Sequence, residues 1–424
     1  MSQQFFDVRE HVFNGQHIRE YPQATAHNQE EVLQLVAKQY IPKSNRQPQP
    51  GDVTIIGAHA NGFPKELYEA LWDDLLAETE KHGFRIRSIW IADVAWEGQS
   101  SHRNEAILGN DPSWYDHARD LLQMVNTFRA EMPRPLVGIG HSFGGTIVTY
   151  LSLMHPRLLS SLVLLDPVLH FYPTTPVSGF NPLALSAVRR DQWPSREAAA
   201  AAFRQSKFYA AWDQRVLDAW LAYGLRELPT TPATGEARPV TLATTKHQEV
   251  FTFLRPLMQG IDGTTGRRVF RRDRLPDVSD KSLERLGATN RLFRPEVPNT
   301  TEQLGHLRPG VCYVFGGISP MSTPDVRREK MELTGVQVGG SGGVAAGRVR
   351  QVVLPTTGHL VAMEQPTACA RAAAETIAAE LVLWREEEAD LALWWRRKDA
   401  DKQVLDDEWR SFIEPIPTRD KGKL

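Results

Sequence analysis

Gly140-His141-Ser142-Phe143-Gly144 fits the pattern G-x-S-x-G. A serine at the tip of a tight strand-to-helix turn needs a strained backbone. Its neighbours two positions away must carry almost no side chain. Gly140 and Gly144 meet that need, and Gly145 adds room where the new helix would pack on the strand. So placed, the Ser142 hydroxyl is a nucleophile for acyl transfer, and the backbone N–H of Phe143 faces the oxyanion that forms. The bland alternative for the pentapeptide alone is a glycine-rich turn. A second oxyanion donor belongs to the loop after the first strand of the series, which reads His59-Ala60-Asn61-Gly62. The Asn61 N–H is the choice and the Gly62 N–H the second. Two aimed donors matter because charge develops on the carbonyl oxygen; losing one costs about 2.7–4 kcal/mol of barrier. His59 reads as a ring that shapes the loop.

A serine nucleophile needs a base, and the chain order Ser…Asp/Glu…His puts that base late. Of the 13 histidines, His359 has the right setting. It ends Thr356-Thr357-Gly358-His359, a loop just past the apolar run Arg348–Leu354, and ligands bind at the carboxyl ends of strands in open α/β sheets. His170 and His306 are the reserves. The acid is harder to place. The turn after Val311–Phe315 reads Gly316-Gly317-Ile318-Ser319-Pro320 and holds no carboxylate. Asp166 closes the preceding strand (Leu164-Leu165-Asp166-Pro167), where it can reach the same imidazole and hold its tautomer. Asp325 is the alternative acid. Glu364 reads as a cap for the following helix ahead of Pro366. Gly138-Ile139-Gly140 begins like a dinucleotide fingerprint, but its sixth position is Phe143, so NAD binding is set aside.

The elements that must position these residues follow from periodicity. Apolar runs at 52–58, 86–92, 135–140, 158–165, 310–315 and 348–354 alternate with helical patterns at 64–75, 114–129, 145–154, 323–333 and 366–398. That alternation predicts an α/β protein with a doubly wound, mostly parallel sheet. Leu67, Leu71 and Leu75 share one helical face after Pro64. Between 167 and 307 the alternation stops, which predicts an inserted, mainly helical cap over Ser195–Arg204 and Asp213–Leu228. The organisation is therefore a core over 1–166 and 308–398, a cap over 167–307, and a charged tail over 399–424. Gly335–Gly347 is glycine-rich and reads as a flexible connection.

Composition excludes other classes of function. The 424 residues hold 41% apolar and 24% charged side chains, an ordinary globular balance. A net charge of −2 leaves no footprint for nucleic acid or an anionic membrane. Two cysteines, Cys312 and Cys369, rule out a disulfide framework and a cysteine-built zinc site, and suit a reducing compartment. No signal peptide is read at the start, and no apolar stretch is long enough to span a bilayer. Gly422-Lys423-Leu424 differs from a peroxisomal Ser-Lys-Leu address at one position, so a peroxisomal import receptor is an expected partner, with the cytoplasm as the alternative compartment.

Four segments carry a resemblance: HANGFPKEL (59–67), GHSFGG (140–145), FYAAWDQRVLDAWLAYGLRELP (208–229) and GHLVAMEQP (358–366). With them the chain resembles α/β-hydrolases of the fungal toxin-biosynthesis and peroxisomal lipase-like group. The resemblance implies the α/β-hydrolase fold and a serine hydrolase with a helical lid, often peroxisomal, acting on ester or lipid-like or polyketide-derived acyl substrates. Relatives that are epoxide hydrolases or dehalogenases use an aspartate nucleophile, which Ser142 excludes. The expectation is hydrolysis of an ester or thioester through an acyl-enzyme. Ser142, His359 and Asp166 would form the triad, with the Asn61 and Phe143 amides on the oxyanion and neither cofactor nor metal. The alternatives are an acyltransferase, a C–C bond hydrolase, or a non-catalytic binding protein.

Overall fold

The computed structural model describes residues 2–171, 182–228, 238–257, 259–286 and 291–413. The Gly422-Lys423-Leu424 tail lies outside them. The chain divides into two units, residues 1–380 and 381–424.

The first unit is built on one eight-stranded sheet. Its strands are β1 (Phe6–Asn14), β2 (Gln34–Pro42), β3 (Val53–Ala58), β4 (Ile86–Ala92), β5 (Leu136–His141), β6 (Ser161–Leu165), β7 (Gly310–Gly316) and β8 (Val349–Leu354). They lie in the order β1-β2-β4-β3-β5-β6-β7-β8. β1 and β2 pair antiparallel and β2 meets β4 antiparallel, while every pairing from β4 to β8 is parallel. β3, β5, β6 and β7 are buried along their whole length, as strands covered on both faces must be. The β1–β2 hairpin was not anticipated from the sequence. β1 reads FDVREHVFN, mostly half-buried or exposed, with too many charges to stand out as a strand.

Helices cover the sheet. α1 (Glu69–His82) follows a 3₁₀ turn that Pro64 introduces, and Gly83 ends it in the left-handed conformation with φ 69°. Leu67, Leu71 and Leu75 are fully buried, as their spacing predicts, each contributing about 1.5–3 kcal/mol. α2 (Gly98–Asn104), α3 (Trp114–Thr127) and α4 (Phe143–Met154) follow.

Between β6 and β7 the described residues form α5 (Pro182–Val188), α6 (Arg196–Gln205), α7 (Gln214–Tyr223), α8 (Lys246–Phe253), α9 (Asp280–Leu286) and α10 (Glu296–Thr301). This segment is less helical than its pattern predicts. Gln192–Trp193, Val240–Leu242 and Leu225–Glu227 pair as a small sheet, and two further short strand pairs follow. The helix expected over 213–228 stops at Tyr223, because Gly224 interrupts it and the next residues pair with Val240–Leu242. Its aromatics are largely core: Trp193, Phe203, Tyr209, Trp212 and Trp220 are buried and stack on one another. Phe63 of the loop after β3 joins them, 5.5 Å from the Trp212 ring and 5.9 Å from the Trp220 ring.

After β7 come α11 (Pro324–Leu333), the short α12 (Val361–Glu364) and α13 (Pro366–Trp395). The glycine-rich stretch 335–347 is not the loose connection its composition predicts. Gly335, Gln337 and Ser341 donate their N–H groups to the carbonyls of Leu304, Gly305 and Leu307, so backbone pairing holds it where side chains cannot. In the second unit Asp407–Phe412 forms a further helix. Among the described residues no helix is long and apolar enough to cross a membrane.

Candidate active site

The site grows from the end of β5. Ser142 has φ 58° and ψ −120°, a backbone that a side-chain-bearing residue adopts only under constraint. The constraint is visible. Its N–H donates to the Leu165 carbonyl at 3.0 Å, and its carbonyl accepts from Gly145 and Val168, both at 3.1 Å. The flanking glycines allow the bend. A methyl on Gly140 would strike the backbone of Gly144, and one on Gly144 would strike the Ala58 and His59 carbonyls. α4 therefore starts hard against the end of β3.

His359 lies on the loop after β8. Its Nε2 is 2.8 Å from Ser142 Oγ, and its Nδ1 is 2.7 Å from Asp166 Oδ2. A carboxylate can only accept, so Nδ1 carries the proton and Nε2 is free to accept from the serine hydroxyl. The His359 side chain keeps 25% of its surface open while Asp166 keeps 0%, so the site is reachable from outside and its anion is not.

Asp166 sits at the end of β6 with φ 41°, a second left-handed non-glycine residue. Oδ1 accepts from the Gly316 N–H at 3.0 Å and from the Ser322 hydroxyl, and Oδ2 accepts from the Ser319 hydroxyl as well as from His359. Lys330 of α11 is buried behind it and donates to the Pro167 carbonyl at 2.8 Å. Burial alone would push the Asp166 carboxyl up. The His359 bond and charge, the Lys330 ammonium and the Ser319 hydroxyl outweigh it and hold the group below the usual carboxylate range.

The loop after β3 faces this group. Its Ala60 N–H donates to the Tyr68 hydroxyl at 2.8 Å, and its Gly62 N–H donates to Glu97 Oε2 at 2.7 Å. The Asn61 N–H between them has no acceptor among the described residues. Gly62, the second choice for an oxyanion donor, is thus already engaged. Phe143 stands at the first position of α4, where an N–H has no intrahelical acceptor. The Asn61 side chain donates to the Glu249 carbonyl of α8 at 3.1 Å, so the loop is also tied to the segment between β6 and β7. Burial, with Glu249 nearby, pushes the Glu97 carboxyl well above its ordinary value. His59 accepts the Val94 N–H on Nε2 at 3.0 Å and donates from Nδ1 to the Ala60 carbonyl at 3.0 Å. Burial lowers its pKa, so it shapes the loop as a neutral ring.

The other residues singled out from sequence lie elsewhere. Asp325 is exposed and pairs with Arg328 at 2.7 Å. His306 bonds the Val338 carbonyl. Glu364 does not cap the next helix. It reaches back to accept the Gly358 N–H at 3.1 Å and so holds the His359 loop, because it closes α12, whose chain has turned towards that loop. Sequence reasoning passed over Tyr68 and His141. The Tyr68 hydroxyl is 2.8 Å from His141 Nδ1, and His141 Nε2 is 3.0 Å from the His359 carbonyl oxygen. His141 stands inside the serine motif itself, which was the one available signal. Among the described residues no group of three or more His, Cys, Asp or Glu is arranged to hold a metal ion.

The model of the alpha/beta hydrolase family matches residues 55–372. The chain is 40% identical over 449 residues to the type I acyl-CoA thioesterase mpaH of Penicillium roqueforti (strain FM164), covering 100% of this chain and 99% of that protein. It is 41% identical over 455 residues to the type I acyl-CoA thioesterase mpaH' of Penicillium brevicompactum, covering 100% of each. Among solved structures it resembles the peroxisomal alpha-beta-hydrolase Lpx1 of Saccharomyces cerevisiae in fold, with a TM-score of 0.66 at 18% identity over 96% of this chain and 95% of that one.

Proposed function

The chain belongs to the α/β hydrolase family and is a hydrolytic enzyme, and from that premise we propose that it is a serine thioesterase. Its substrate would be an acyl-CoA whose apolar acyl group comes from secondary metabolism. The observation that carries the mechanism is the hydrogen-bonded line from Ser142 Oγ through His359 to Asp166. The full-length identity to two acyl-CoA thioesterases supports the leaving group.

In this reading Ser142 Oγ attacks the thioester carbonyl as His359 Nε2 takes its proton. The carbonyl oxygen becomes an oxyanion and settles between the Asn61 and Phe143 N–H groups. The C–S bond then breaks, His359 returns the proton to the departing thiolate, and the acyl group stays on Ser142. Water repeats the sequence with His359 again as base, releasing the acid and the serine. Asp166 stays ionised, keeps His359 in its Nδ1–H tautomer and offsets the imidazolium charge. The described residues between β6 and β7 would act as the lid over the acyl chain.

The test is a series of acyl-CoA thioesters and matched oxygen esters of rising chain length, with thiol or acid release measured for the native protein and Ser142→Ala. Thioester turnover that favours longer apolar chains and is lost in Ser142→Ala is expected. Turnover retained in Ser142→Ala sinks the mechanism, and a preference for oxygen esters sinks the leaving group.

A further inference from the structure

We infer that Tyr68 and His141 are positioning residues that lock the oxyanion loop and the loop of the general base into one hydrogen-bonded unit. The inference rests on the roles proposed above for Asn61 and His359.

The directions of the bonds are forced by the groups at the two ends. At one end the Ala60 amide can only donate, so the Tyr68 oxygen accepts from it. At the other end the His359 carbonyl can only accept, so His141 Nε2 carries a proton and donates to it. Between them the Tyr68 hydroxyl proton goes to His141 Nδ1, and that ring is neutral. Burial, with His359 nearby, pushes the His141 pKa down to about 3, consistent with a ring that keeps one proton. Tyr68 is 2% exposed and His141 is 0% exposed, so water cannot replace either bond. An unmade bond here would leave a buried polar group bare.

The consequence is geometric. Ala60 is the residue before Asn61, and His141 is the residue before Ser142. The relay therefore ties together the backbone beside one oxyanion donor, the backbone beside the nucleophile, and the carbonyl of the base itself. These groups come from three distant parts of the chain and must agree to a fraction of an ångström. Misplacement by 1 Å can cost roughly 10²-fold in rate. The relay acts on the transition state and leaves the acyl and CoA contacts alone. Its loss therefore falls on kcat and spares KM.

The experiment pairs Tyr68→Phe, which keeps the ring and removes the hydroxyl, with an arylboronic acid as a probe of the oxyanion site. The expected result is a kcat about 10- to 100-fold lower, KM for acyl-CoA within about twofold, and boronate affinity weakened in parallel with kcat. Unchanged kcat, or a KM that absorbs the whole effect, overturns the inference. A second measurement needs no variant. In the native chain labelled with ¹⁵N-histidine, the ring that cross-relaxes with Tyr68 should remain a neutral Nε2–H tautomer from pH 5 to 8. A charged ring or an Nδ1–H tautomer there overturns the inference even if Tyr68→Phe fails to fold. Unchanged Tyr68→Phe kinetics beside a dead Ser142→Ala sinks the relay alone, whereas an active Ser142→Ala sinks the triad and the relay with it.

Discussion

The turns after β6 and β7 lie side by side and share one task unequally. The first supplies a carboxylate, Asp166, on a left-handed backbone with φ 41°. The second supplies no acid. It gives the Gly316 N–H and the Ser319 and Ser322 hydroxyls, with Lys330 of α11 behind them. Neither turn suffices alone. A carboxylate with 0% exposure and no donors would pick up a proton, and donors without an acid would leave the imidazole unoriented. The difference teaches that a carboxylate and the donors that keep it ionised need not share a turn, because two adjacent parallel strands bring them to one point.

Removing the acid should break the pairing of the two turns most severely. In Asp166→Asn the Ser322 hydroxyl and the Gly316 N–H still find an oxygen at the Oδ1 place, but the amide NH2 at the Oδ2 place faces His359 Nδ1 and the Ser319 hydroxyl, and it favours the wrong tautomer. Turnover should fall by roughly 10³- to 10⁴-fold with the melting temperature little changed. Asp325→Asn, made in parallel, should stay within about twofold of the native protein. The reverse ranking in steady-state kinetics would move the acid to the other turn.

Thinning the donor side should do less. Ser322→Ala removes one of four bonds to the carboxylate, and a bond to a charged group is worth about 1.5–3 kcal/mol. A loss of stability of that order in denaturant unfolding is expected, with turnover down by less than in Asp166→Asn. If Ser322→Ala matches Asp166→Asn in kinetics, the donors do more than solvate the anion.

Lys330 gives the most pH-specific effect. Burial lowers its pKa to about 8, so holding it charged costs folding energy at lower pH. The sign follows from proton counting. Between about pH 8 and the ordinary lysine value near 10.4, the unfolded chain binds more protons than the folded one, and stability rises with pH. Native protein should therefore gain on Lys330→Met by up to roughly 3 kcal/mol across that window. Denaturant midpoints that run parallel from pH 7 to 10 would show that the buried ammonium is not titrating.

Much of this was legible in the residues. The parallel strands and their helices stood out because most are apolar-rich runs or single-faced periodicities. The three side chains that the structure brings together stood at strand ends, where chain order alone narrows the choice. The β1–β2 hairpin was opaque because a charged edge strand lacks the apolar signature. Gly335–Gly347 was misread because composition reports side chains, and that stretch is held by its backbone. The bonds of Glu97 to Gly62 and Tyr68 to His141 depend on where distant segments cross. No local pattern encodes them.

The proposed mechanism requires a covalent acyl-enzyme. Acyl-CoA mixed with the native protein, quenched in acid within milliseconds and mapped by peptide mass spectrometry, should place the acyl mass on the peptide containing Ser142 and nowhere else. A substrate that is turned over while Ser142 stays unmodified, or an acyl group found on another side chain, would contradict it.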